Sequence, residues 1–154
     1  GIKMKTISIN GTEFVLEFTF EAAEHKTLVQ KMFDMMTGAY LVKDAKDIEN
    51  PSAADMINGT SAMFSNIPDV CNIAFYAGFL EQNPMTEVEA KNVMRAYMKE
   101  NDLSYPDLFE EIKECMEKDG FFHRTGLDKM LQKMTEQTEE IKTPQDHKKK
   151  TTKK

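Results

Sequence analysis

The stretch from Val70 to Leu80, Val-Cys-Asn-Ile-Ala-Phe-Tyr-Ala-Gly-Phe-Leu, constrains the fold more than any other part of the chain. It is apolar nearly all round a helical wheel, so it predicts a helix packed on several sides, the centre of whatever forms around it. It is too short to cross a bilayer, and no other apolar run approaches the 18 or so residues a span requires. Pro68-Asp69 opens the stretch and Asn83-Pro84 closes it, both read as breaks in the chain path. A buried central helix of this kind needs amphipathic partners, and the flanking sequence supplies them.

Upstream, Thr6-Ile-Ser-Ile-Asn10-Gly11-Thr-Glu-Phe14-Val-Leu16-Glu-Phe18-Thr-Phe20 reads as a β-hairpin. Asn-Gly suits a type I′ turn, in which both central residues have positive φ. Alternation puts Phe14, Leu16, Phe18 and Phe20 on one face of the second strand, with Ile7 and Ile9 covering that face from the first. A lone hairpin is marginal in water, so its apolar face must pack on a helix or on another copy. The unpaired edges make Ile7, Ile9, Phe14, Leu16 and Phe18 candidate oligomer contacts.

Leu28, Val29, Met32, Phe33 and Met36 recur at helical spacing and predict one helix from about Glu21 to Thr37, stopped by Gly38. Residues 38–52 read as a loop. Ser52 is a candidate cap for a helix to about Phe64, carrying Met56, Ile57, Met63 and Phe64 and interrupted by Asn58-Gly59. After the central segment, Thr86-Glu-Val-Glu89 has the form of a capping box, and the helix it starts carries Ala90, Val93, Met94, Tyr97 and Met98. Ser104-Tyr-Pro106 opens the next helix. Its inner stripe is Leu108, Phe109, Ile112, Cys115 and Met116, its outer face Glu110, Glu111, Glu114 and Glu117, and Gly120 ends it. A last amphipathic piece, about Thr125 to Ile141, bears Leu127, Met130, Leu131 and Met134. This short stripe is either core or the contact face for a partner, and it is the candidate partner-binding site. The expected fold is mainly α, an N-terminal β-hairpin followed by a compact bundle of about five to six helices. Residues 1–141 form a single domain (hairpin 5–20, helical part 21–141), and 142–154 form a disordered basic tail.

Charge and cysteine usage narrow the function classes. The chain carries 20 basic and 26 acidic residues; 142–154 hold six lysines and one aspartate, so residues 1–141 carry 14 and 25, a formal charge of −11. A body this acidic repels phosphate backbones, which argues against nucleic-acid binding. The helix opened by Pro106 is acidic where a recognition helix would meet phosphates. Cys71 and Cys115 lie in apolar helical patterns without CxxC or Cys/His spacing and read as buried thiols of a reducing compartment, with no disulfide or zinc. No apolar leader is visible at the N-terminus, so the expected location is the cytoplasm.

Catalytic constellations are not recognisable. His25, His123 and His147 stand in charged or terminal contexts without evident ligand partners and read as surface residues. No P-loop, GxGxxG, GxSxG or HExxH pattern occurs. Glu117-Lys-Asp119-Gly120 lacks the alternating ligands and closing glutamate of an EF-hand loop. Neither a catalytic residue, nor a metal, nor a cofactor is expected. The 12 methionines fit either an adaptable core or an adaptable binding surface.

The order of elements carries a resemblance. An Ile-x-Ile-Asn-Gly hairpin leads into a Phe-rich strand and helix. Then come Ile73-Ala-Phe75-Tyr76-Ala-Gly-Phe79-Leu80, Asn83-Pro84-Met-Thr86-Glu-Val-Glu89, and a Leu108-Phe109-Glu-Glu-Ile112 helix ending in Gly120-Phe121-Phe122. Over roughly residues 5–122 this resembles the tail assembly chaperones of long-tailed, siphovirus-type phages of Gram-positive bacteria, or their prophage copies. The resemblance implies a non-catalytic, self-associating protein of the host cytoplasm. It would bind the tape-measure protein, keep it soluble while the tail tube assembles, and be missing from the mature virion. It also implies a longer frameshifted product that recruits the major tail protein; codons for Lys148-Lys-Lys150 are a candidate slippery site. Two alternatives stay open on sequence: a small helical adaptor or regulator with a single helical partner, and a minor structural phage protein.

Overall fold

The computed structural model describes residues 3–38 and 53–137. A 3-10 turn, Lys3–Lys5, leads into strands β1 (Thr6–Ile9) and β2 (Thr12–Val15). Helices α1 (Phe20–Ala23), α2 (Lys26–Thr37), α3 (Ala53–Phe79), α4 (Glu87–Asn101), α5 (Tyr105–Asp119) and α6 (Phe121–Thr125) follow. A further helix, α7, occupies 127–137. The expected mainly helical fold with an N-terminal hairpin is what forms. The expected loop at 39–52, the Ser52 cap and the basic tail lie outside the described residues.

The hairpin pairs Thr6 with Val15 and Ile9 with Thr12 around a two-residue turn, in which Asn10 and Gly11 take φ of 49° and 82°. That is the positive-φ pair expected of Asn-Gly. The second strand is shorter than the alternation predicts, and the reason lies in its hydrogen bonds. Four successive N–H groups leave the ladder for four different acceptors. Val15 donates to Asn83 Oδ1 (2.7 Å), Leu16 to the Lys5 carbonyl (2.9 Å), Glu17 to the Gly78 carbonyl (2.8 Å) and Phe18 to Asp119 Oδ2 (2.9 Å). Residues 15–18 therefore form a strap that binds the 3-10 turn, the end of α3 and the end of α5 together. Leu16 and Phe18 are fully buried on it, whereas Phe20 has rotated outward into the first turn of α1 and is 61% exposed. Phe20 does not share the apolar face assigned to it; the Arg124 guanidinium stacks on its ring, 4.9 Å from the centroid.

The helix expected over 21–37 is two helices. His25 breaks it by taking an extended conformation and capping α2, its Nδ1 accepting the Leu28 N–H at 3.2 Å. Accepting there requires that nitrogen to carry no proton. The His25 ring also meets Tyr76 edge-on, at 5.8 Å between centroids, so it is a half-buried structural residue and not a simple surface one.

The opposite correction applies to α3. Two helices separated at Pro68 were expected; one continuous helix runs through it. Pro68 lacks the N–H that would reach Phe64, but that turn is at the surface, with Phe64 and Ser65 exposed. Downstream, Val70, Cys71, Ala74, Phe75, Ala77 and Phe79 are all fully buried, and their packing holds the axis in place. Phe75 is the junction of the core, edge-on to Phe79 at 5.7 Å and tilted against Tyr97 at 6.5 Å. Three of the carbonyls freed at the C-terminus of α3 find donors: Ala77 accepts from Leu80, Gly78 from Glu17 and Phe79 from Asn83.

Helices α4 and α5 start as the sequence predicts. Thr86 and Glu89 form a reciprocal capping box, as do Ser104 and Asp107. Their apolar stripes face α3 and are buried, Met98 only in part. The two helices also share a hydrogen bond from the Tyr97 hydroxyl to Glu111 Oε1 at 2.6 Å. Gly38, Gly120 and Gly126 end α2, α5 and α6 in the left-handed conformation, with φ of 71°, 77° and 83°.

A candidate partner-binding surface

The four residues of the C-terminal stripe do not share one environment. Leu127 is 6% exposed and belongs to the core. With Ala23, Val29 and Phe33 it lines an open groove of about 510 Å³ between α7 and the start of α2. One turn on, Met130 is 48% exposed, Leu131 is half-buried, and Met134 is 36% exposed. Gly126 positions this helix, because its positive φ lets α7 depart from α6 in a new direction. The stripe thus begins in the core at Leu127 and ends on the surface at Met130 and Met134.

The hairpin residues expected at an oligomer contact face inward. Ile7, Leu16 and Phe18 are buried, and Ile9 and Phe14 are partly buried against the same core. Phe14 packs on Phe79 at 6.1 Å and Phe18 edge-on to Phe121 at 6.3 Å. The hairpin's apolar face packs on the chain's own helices, with Ile9 and Phe14 left partly exposed.

Two exposed apolar residues were not singled out in sequence as a surface. Ile57 and Phe64, 69% and 52% exposed, lie seven residues apart on one side of α3 and, with Thr60 and Ser61, line a shallow groove of about 400 Å³. Their helical spacing was visible, but apolar spacing on a helix does not distinguish a core face from a bare one.

Several ionisable groups tie elements together. Asp119 Oδ2 accepts from Lys5 Nζ (2.6 Å) and from the Phe18 N–H (2.9 Å), joining the N-terminal strap to the end of α5. Glu81 Oε1 accepts from the Thr19 hydroxyl (2.8 Å) and from the Glu21 N–H (3.0 Å) at the start of α1. The Glu21 backbone bond, with help from Thr19, holds the Glu81 carboxyl below its usual pKa. The bonds from Thr86 and Ser104 do the same for Glu89 and Asp107. Burial pushes the Cys71 thiol up to about 12 and the Cys115 thiol to about 11, so both are neutral and unreactive at physiological pH. Burial, then the Glu111 carboxylate, also raises the Tyr97 phenol.

Among the described residues no three His, Cys, Asp or Glu side chains come together as a metal site, and no helix is long and apolar enough to cross a membrane. No protein-family model, curated protein or solved structure matches the chain.

Proposed function

We propose that this chain is a non-catalytic tail assembly chaperone of a long-tailed phage or prophage, which binds the tape-measure protein and keeps it soluble while the tail tube polymerises. The observation that carries this reading is α7, a helix anchored through Leu127 whose Met130 and Met134 are exposed. Methionine is unbranched and polarizable, so such a face accommodates many apolar helical segments without demanding one sequence. The acidic body keeps a loaded complex soluble. Several copies along one long client convert weak contacts into avidity, so the reading includes self-association in the host cytoplasm. With Ile7, Leu16 and Phe18 buried, the hairpin offers at most Ile9 and Phe14 to that self-association. A longer, frameshifted product would bring the major tail protein to the complex.

The test is co-expression with the long helical protein encoded nearby, followed by size-exclusion chromatography with light scattering. A soluble complex with several copies of this chain per client is expected. The M130D/M134D variant should keep its thermal melt and lose the client, whereas Leu127→Asp should unfold the end of the body. A client that stays insoluble while the wild-type chain elutes alone as a monomer would sink the reading.

A further inference from the structure

A second groove, of about 440 Å³, runs between the end of α2, one side of α5 and α6. Its floor is apolar, formed by half-buried Met36 and buried Phe122. Its rim is mostly acidic: Glu110, Glu114 and Glu117 recur at i, i+4 and i+7 along α5 and are all exposed, with Lys113 the one cation among the described residues of the lining. Glu110 has Lys113 at 2.8 Å, and the fourth carboxylate, Glu111, is occupied by the Tyr97 hydroxyl. Within the described residues no ion pair involves Glu114 or Glu117. Both stand in the last two turns of α5, where the helix dipole already places negative charge and favours lysine or arginine instead. Two carboxylates set against that field, over an apolar floor, match a cationic segment with aliphatic stems. Lysine has that form, with four methylenes to lie on Met36 and Phe122 and an ammonium to reach the rim.

The chain carries such a segment. Six of the thirteen residues from Lys142 to Lys154 are lysines, against one aspartate. The tether is long enough: α7, at 11 residues, measures about 16 Å. The ten residues 138–147 span up to about 33 Å when extended, about twice the length of α7. Tethering also supplies an effective concentration in the millimolar range, enough for a contact too weak to form between separate molecules.

We propose that the Lys-rich segment 142–154 docks in cis on the groove floored by Met36 and Phe122 and rimmed by Glu110, Glu114 and Glu117. A cationic partner for that face must then displace the chain's own tail, which makes the tail a built-in competitor. The inference does not depend on the chaperone reading.

A nitroxide attached to the full-length chain through T151C tests it, since the two native thiols are buried. The expected result, at an ionic strength of about 0.01 M, is paramagnetic broadening of the Glu114, Glu117 and Phe122 amides. It should vanish near 1 M, where the screening length falls from about 30 Å to about 3 Å. It should also vanish in E110Q/E114Q/E117Q, whose exposed substitutions leave the thermal melt in place. Absence of broadening on α5 at low salt, or broadening that persists in the triple glutamine variant, would overturn the proposal. So would broadening transferred to untagged, isotope-labelled chains mixed with tagged ones, because the contact would then lie between molecules.

Discussion

Gly78 shows how much of this fold rests on one missing methyl group. A Cβ there would lie 2.7 Å from Leu16 Cδ1 and 3.0 Å from the Phe18 ring, both fully buried. The same residue's carbonyl takes the Glu17 N–H at 2.8 Å, so the strap lies directly on α3. Gly78→Ala would gain about 1 kcal/mol of helix propensity. It would lose about 1–3 kcal/mol by overpacking against the fully buried Leu16 and Phe18 side chains, which must shift to admit the methyl group. We expect net destabilisation, read as a lower urea midpoint at unchanged m-value. Asp119 is a second such point, since one carboxylate oxygen holds both Lys5 and the Phe18 N–H. Asp119→Ala should cost about 1.5–3 kcal/mol, the range for hydrogen bonds to a charged group, by the same measurement. Cys71 and Cys115 should react with a thiol reagent only as fast as the body opens. Stability should fall as the pH rises from the ordinary thiol value of 9 toward 11 and 12, because the unfolded chain ionises first.

At the scale of elements, the helix ends are local devices and behave independently. Thr86→Ala removes the acceptor for the Glu89 N–H and half of a capping box, and should cost about 0.5–2 kcal/mol. Glu81, Glu89 and Asp107 all have folded-state pKa values below their ordinary ones. Their contribution is therefore complete above the usual carboxylate range and is lost as the pH falls through the lowered values. Thermal melts should accordingly drop on the acid side and be flat near neutrality, and Glu81→Gln should shallow the acid slope; an unchanged slope would remove Glu81 from this account. The Thr86–Glu89 capping box, the stops at Gly38 and Gly120 and the Asn-Gly turn were legible in the sequence because each is settled within four or five residues. The break at His25 was not, because a histidine cap competes with a continuous apolar stripe, and the stripe is the louder signal. The continuity of α3 through Pro68 was hidden for the converse reason. Proline's local penalty is plain in sequence, whereas the packing of Val70 to Phe79 that outweighs it is not.

For the molecule as a whole, charge separation is written into the chain and surface exposure is not. The acidic body and the basic segment follow from counting residues. So does the identity of the central helix, because a segment apolar on nearly every side has nowhere else to go. The inner stripes of α4 and α5 follow from periodicity, since helical spacing and burial coincide there. Which apolar residues remain outside was decided by tertiary structure. Met130 and Leu127 are three residues apart on one stripe, yet one is surface and the other core, because Leu127 lies beside Ala23, Val29 and Phe33 and Met130 does not. Phe18 and Phe20 alternate in sequence as strand neighbours would, yet β2 ends at Val15: the strap's bonds to Gly78 and Asp119 bury Phe18, and Phe20 opens α1 facing outward. Burial is a property of pairs of surfaces brought together from distant parts of the chain, and no window of sequence contains both members of such a pair.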